Sequence, residues 1–222
     1  MNEPNAFQEL SSSSYEKMPG HWLLASMGKR VLRPGGLELS RWLIETLDIG
    51  AQDDVVELAP GLGRTAELIL ERHPRSYVGV EKNEAAADLV RKVVSGPGRS
   101  IRIGDAGATG LPDACATVAC GEAFLTMQGP QVKARILKEI ARILKPGGIY
   151  GMHELSLSSD SPELVSKVQQ ELSENIRVNA RPLSVPEWSE ILEEAGFEVL
   201  KIKQLPMALL EPGRLWRDEG AG

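Results

Sequence analysis

The run VVELAPGLGRT at residues 55–65 constrains the fold more than any other stretch of the chain. A short β-branched segment, led in by Asp54, carries an acid at Glu57, and small residues follow at Ala59, Gly61 and Gly63. This is the grammar of a buried strand, a tight turn and a helix start. Glycine lacks a Cβ, so the backbone can turn sharply and a ligand can come close. The first N–H groups of the next helix have no intrahelical acceptor and sit beside that turn. The same alternation continues downstream. Strands are expected at 55–59, 77–80, 101–103, 116–120 and 149–153, with helices at 64–73, 83–94 and 132–144. Alternating strands and helices build βαβ units with right-handed crossovers. The expected fold is therefore α/β: a doubly wound, Rossmann-like and mostly parallel sheet.

The two ends read differently. Residues 1–19 are polar, with four serines at 11–14, and a short helix is expected at 21–30 before the breaker Pro34-Gly35-Gly36. Residues 1–34 thus form a polar tail and a small N-terminal helical cap, and residues 35–222 the main domain. A helix at 37–47 should be ended by Gly50. Lys145-Pro146-Gly147-Gly148 stops the 132–144 helix, because proline and two glycines do not continue it. A long amphipathic helix is expected at 161–176. Ser184 and Glu187 fit a capping box opening a helix that runs to Ala195 and is closed by Gly196. Residues 197–204 (FEVLKIKQ) alternate apolar and polar, which predicts an antiparallel strand at the C-terminal edge; 207–210 could form a brief last strand.

Composition narrows the function classes. Hydrophobic residues make up 42% and charged residues 25%, with a net charge of −6. Phosphate recognition needs clustered Lys and Arg, so no nucleic-acid partner is expected. No run of about 18 apolar residues predicts a membrane span, and the N-terminus lacks the pattern of a signal peptide. The expected location is cytoplasmic. Cys115 and Cys120 lie in an apolar stretch and read as core thiols. The three histidines are too scattered for a metal site, so none is expected.

By spacing alone the loop leaves several functions open. Gly61-Leu62-Gly63-Arg64-Thr65-Ala66 matches G-x-G-x-x-A, and Glu81 lies 18 residues beyond Gly63, as in an NAD-dependent oxidoreductase. A carboxylate there can accept both hydroxyls of a ribose diol. A noncatalytic cofactor-binding or partner-binding protein, or a strand–helix turn with no ligand, fits the same glycines.

Five segments in order carry a resemblance: VVELAPGLGR at 55–64, YVGVEKNEA at 77–85, IRIGDAGATGLP at 101–112, VACGEAFLTMQ at 118–128 and RILKPGGIYGMHEL at 142–155. Over roughly residues 35–204 the chain resembles the class I S-adenosylmethionine-dependent methyltransferases, in particular the small-molecule group called methyltransferase type 11. The resemblance implies that Glu57, Ala59, Gly61 and Gly63 hold the methionine end of S-adenosylmethionine. It implies that Glu81 takes the ribose hydroxyls with Lys82 beside the adenine, that Asp105 and Ala106 meet the adenine, and that Glu122 and Ala123 lie near the sulfonium. The family's usual first loop glycine is Ala59 here, followed by Pro60. The acceptor implied is a small molecule, in a space walled by the cap through Trp22, Leu23, Leu24 and Met27. A sulfonium methyl is already electrophilic, so alignment is the main task. The one candidate general base is His153, at the expected C-terminal end of the fifth strand, where open sheets bind ligands.

Overall fold

Five strands run parallel in the computed structural model, which describes residues 36–158 and 180–206, together with 166, 167 and 170. They are β1 (Asp54–Leu58), β2 (Ser76–Glu81), β3 (Arg99–Ile103), β4 (Ala116–Glu122) and β5 (Leu144–His153). Their spatial order is β3-β2-β1-β4-β5. The chain therefore builds outward from β1 to one edge, then returns to the other side of β1. The reversal lies between β1 and β4, the topological switch point where ligands of open α/β sheets bind.

The helices are α1 (Gly36–Leu47), α2 (Arg64–Leu70), α3 (Glu84–Val93), α4 (Pro130–Ile143) and α5 (Val185–Glu194). Strand side chains alternate between faces, and the burial follows. Val55, Tyr77, Val118 and Cys120 pack with Leu43, Ile44, Ile69 and Val90 of α1–α3. Val56, Leu58, Val80 and Ala119 pack on the other face with Ile136, Leu137, Ile140 and Ile143 of α4 and with Trp188 of α5. Helices cover both faces, so the doubly wound expectation holds. Cys120 is buried and Cys115 half-buried, both as free thiols.

Several local expectations are met. Glu187 accepts from both the backbone N–H and the hydroxyl of Ser184, at 2.7 and 2.9 Å, which is the reciprocal arm of the expected capping box. Gly196 follows α5 with φ 94°. Residues 166, 167 and 170 are helical; the rest of the expected 161–176 helix, the cap at 1–34 and the strand at 207–210 lie outside the described residues.

Three expectations are corrected. The left-handed residue after α1 is Asp48 (φ 48°), not Gly50, and its N–H donates to Glu45 O. LKPGG belongs to β5: Leu144 pairs with Ala116, Ile149 with Val118, and the four residues between form a bulge against one residue of β4. Proline is tolerated there because a bulge releases it from the ladder. Residues 197–204 form no strand, so the antiparallel edge is absent among the described residues and β5 borders the sheet. Alternation alone does not pair a strand. Leu200 and Ile202 stay exposed, at 69% and 55%. A separate parallel pair, β6 (Ser156–Leu157) with β7 (Leu183–Ser184), links the end of β5 to the start of α5.

Candidate functional site

The carboxyl ends of β1, β2 and β4 bring three acids to one side of the sheet. Glu57, Glu81 and Glu122 each occupy the last or next-to-last position of their strand. Parallel pairing fixes this, with Glu57 opposite Gly79 and Cys120, and Glu122 opposite His153.

Glu57 is 3% exposed, and its Oε2 accepts from the Tyr77 hydroxyl at 2.5 Å. Burial, followed by the neighbouring carboxylate, pushes the Tyr77 phenol well above its ordinary range, so it stays a donor. Tyr77 escaped sequence reading because a buried strand tyrosine looks like any core aromatic.

The turn between β1 and α2 is built from left-handed residues. Ala59 has φ 53°, Gly61 58° and Gly63 80°. Ala59 occupies a conformation that disfavours any Cβ, which is the physical reason for a glycine at this position in the family. Its N–H donates to Val80 O, tying the turn to β2. Among the described residues an added Cβ on Gly61 would meet only Ala59 O, at 3.9 Å, so they leave the outer side of the turn open. Gly63 serves packing as well: a Cβ there would touch Val90 and Val93 of α3 at 3.6 Å.

Glu81 closes the loop from the side. Its Oε2 accepts from the Gly61 N–H at 3.2 Å, and its Oε1 from the Asn83 N–H at 2.9 Å. The Gly63 N–H donates to Pro60 O. With the Ala59 N–H on Val80 O, three of the loop's amide donors are thus spent inside the protein, one of them on a carboxylate.

Asp105 and Lys82, just past the ends of β3 and β2, come together. Lys82 Nζ lies 3.1 Å from Asp105 Oδ2, while Asp105 Oδ1 accepts from Gly107 N–H at 2.8 Å and Arg135 Nη2 at 3.3 Å. The Gly107 amide, then the two cations, lower the Asp105 carboxyl below its usual range against some desolvation. Lys82 is otherwise exposed, and Ala106 is half-buried next to Asp105. Arg135 was not legible as a partner, since it sits on α4, thirty residues away.

Glu122 and His153 form a second enclosed polar cluster. Glu122 Oε1 accepts from Thr65 Oγ1 at 2.6 Å, and Oε2 lies 2.7 Å from both Ser40 Oγ and His153 Nδ1. The Glu122 and His153 side chains are 4% and 6% exposed. Ser40 and Thr65 were missed by sequence reasoning because they lie 82 and 57 positions from Glu122. Ala123 follows at φ 54° and donates its N–H to His153 O, which holds the ends of β4 and β5 together.

Glu154 has a different task. Its carboxylate accepts the N–H groups of Phe124, Leu125 and Thr126 and the Thr126 hydroxyl, all between 2.6 and 3.1 Å. It caps the 3₁₀ turn Leu125–Met127. A cavity of about 220 Å³ opens beyond β5, walled by Trp42, Leu43, His153, Trp188 and Lys203 among others; no glycine-loop residue lines it.

A sequence profile described as a methyltransferase domain matches residues 56–152. An uncharacterized protein of Haemophilus influenzae is 30% identical over 205 residues, covering 90% of this chain and 80% of that protein. A protein of Mycolicibacterium smegmatis named "Probable S-adenosylmethionine-dependent methyltransferase" is 30% identical over 146 residues, covering 66% of this chain and 52% of its own. The crystal structure of YcgJ from Bacillus subtilis superposes with a TM-score of 0.69 at 18% identity, covering 83% of this chain and 79% of YcgJ. The chain belongs to the class I S-adenosylmethionine-dependent methyltransferases.

Proposed function

We propose that the chain transfers a methyl group from S-adenosylmethionine to a small-molecule acceptor. The observation that carries this reading is the bond between Glu81 and the Gly61 N–H. A dinucleotide loop needs its amides free for a pyrophosphate. Here one is taken by a carboxylate, and Glu57, Glu81 and Glu122 surround the turn. That charge pattern repels a phosphate dianion and favours a ligand bearing an ammonium, a sulfonium and a ribose diol. The open outer side of Gly61 leaves room for such a ligand. The residues therefore fit this cofactor.

In this reading Ala59, Gly61 and Gly63, with Glu57 behind them, hold the methionine end. Glu81 takes the ribose hydroxyls, Lys82, Asp105 and Ala106 border the adenine, and Glu122 and Ala123 lie next to the reacting centre. S-adenosylmethionine, when bound, supplies an electrophilic methyl on a sulfonium. The protein's own contribution is to align the acceptor and exclude water, which contributes up to roughly 7–11 kcal/mol in favourable cases. Two free thiols suit a reducing cytoplasmic setting, and among the described residues no helix is long and apolar enough to cross a membrane.

Calorimetric titration of the purified chain with S-adenosylmethionine, S-adenosylhomocysteine and NADH tests this. Saturable binding of the first two and none of the third is expected. Binding of NADH alone would refute the reading.

A further inference from the structure

The Glu122–His153 pair has a direction. Three donors converge on one carboxylate: the Ser40 and Thr65 hydroxyls and His153 Nδ1. An ionised carboxylate can only accept, so the proton of a neutral imidazole sits on Nδ1 and the lone pair on Nε2. That Nε2 is buried and has no hydrogen-bond partner among the described residues. Native proteins rarely leave a buried polar atom unsatisfied, and exceptions cluster where chemistry is done. A histidine kept only for packing would be expected to satisfy both nitrogens.

The surroundings add two facts. Thr65 lies in the first turn of α2, two residues beyond Gly63, so the carboxylate that orients His153 is tied to the helix the glycine loop opens. His153 is also a wall residue of the cavity lined by Trp42, Leu43 and Trp188. The imidazole thus stands between the loop and a largely apolar space large enough for a small molecule.

We infer that His153 Nε2 is the proton acceptor for the methyl acceptor, with Glu122 as its positioning residue, and that the methylated atom is a hydroxyl oxygen or an amine nitrogen carrying a dissociable proton. This rests on the methyl-transfer reading. In the step, the acceptor lone pair forms the new O–C or N–C bond while the methyl–sulfur bond breaks, and sulfur keeps that electron pair. The proton on oxygen or nitrogen passes to Nε2. Glu122 balances the imidazolium, which then releases the proton to solvent. The arrangement of base, orienting carboxylate and supporting donors follows the logic of acid–imidazole pairs in general.

The test uses the full chain and three readouts. Long-range ¹H–¹⁵N NMR of the labelled histidines should find neutral His153 with its proton on Nδ1; a proton on Nε2 overturns the inference. Calorimetry with S-adenosylhomocysteine should give the wild type and His153→Asn the same Kd within about threefold, because the asparagine amide can still donate to Glu122. If the wild type does not bind, the methyl-transfer reading itself fails. Turnover is then followed as S-adenosylhomocysteine release over a panel of phenols, aliphatic alcohols and amines, with thioethers and thiols as contrast. Methylation of a hydroxyl or amine probe, lost about 100-fold or more in kcat in His153→Asn with little change in KM, is the expected result. Partial rescue of His153→Ala by added imidazole should accompany it. The inference is overturned if kcat stays within about threefold of wild type, if only thioethers or thiols are methylated, or if a wild-type chain that binds S-adenosylhomocysteine methylates no probe.

Discussion

Glu81 Oε2 accepts the Gly61 N–H at 3.2 Å, so the acid ending β2 braces the turn that ends β1. The same carboxylate holds Asn83 through Oε1, and Asn83 caps α3 by accepting from the Ala86 N–H. One side chain therefore couples the glycine loop, the second strand and the third helix. Its two oxygens keep further lone pairs, which is what a diol would use.

That coupling predicts the behaviour of Glu81→Ala. Hydrogen bonds to charged groups contribute about 1.5–3 kcal/mol, so affinity for S-adenosylhomocysteine should fall about tenfold or more. Calorimetry reads the change directly. Unchanged affinity would show that Glu81 shapes the loop without touching the ligand.

Ala59→Gly should stabilise the protein. Ala59 sits at φ 53°, where an L side chain costs roughly 1–2 kcal/mol and glycine does not. Part of that gain is offset by the extra chain entropy glycine loses on folding. A net gain of about 1 kcal/mol corresponds to a rise of about 2–4 °C in Tm for a chain of this size. A lower Tm in a thermal scan would show that the methyl of Ala59 contributes packing that outweighs the strain.

The contrast between what was and was not legible follows from range. The strand–turn–helix at 55–65, the strand-end acids and the capping box at Ser184 are local patterns, and each appeared where periodicity put it. His153 was legible at the end of the expected fifth strand, whereas Glu122 and Ala123 were placed by the family resemblance alone. Their connections were not legible: Ser40 and Thr65 reach Glu122 across long stretches of chain, and nothing in either neighbourhood marks a hydroxyl as a partner. The bulge at 145–148 was hidden because the same proline and glycines that stop a helix also permit a bulged strand. Residues 197–204 misled for the opposite reason. Their alternation is a strand's, but pairing depends on a neighbour that sequence does not display.

Glu154→Ala should cost more than any change at the loop. It would leave the N–H groups of Phe124, Leu125 and Thr126 without their acceptor. Each buried group left unsatisfied costs about 1–3 kcal/mol, so a loss of about 3 kcal/mol or more is expected in denaturant unfolding. Glu154→Gln, which keeps a carbonyl acceptor, should recover part of it. Burial raises the Glu154 carboxyl above its usual range even with these donors opposing the shift. A loss below about 1 kcal/mol in the alanine variant would mean that the 3₁₀ turn finds other acceptors.

Acid should unmask Glu139. Its carboxylate accepts from Arg142 at two nitrogens and from the Thr109 N–H and hydroxyl. The Arg142 bonds, then the Thr109 bonds, lower it from 4.5 to about 2 against desolvation. The folded state therefore holds this proton less tightly than the unfolded chain. The linked stability is present above about pH 4.5 and drains away as the pH falls toward 2. Asp54 and Asp105 are lowered as well and add the same sign, so the useful quantity is a difference between proteins. Glu139→Gln should be less stable than wild type at pH 7, and the gap should narrow on going from pH 5 to pH 2.5. Urea unfolding of both proteins across that range measures it. A gap independent of pH would mean that Glu139 contributes through packing and neutral hydrogen bonds, with no titrating component.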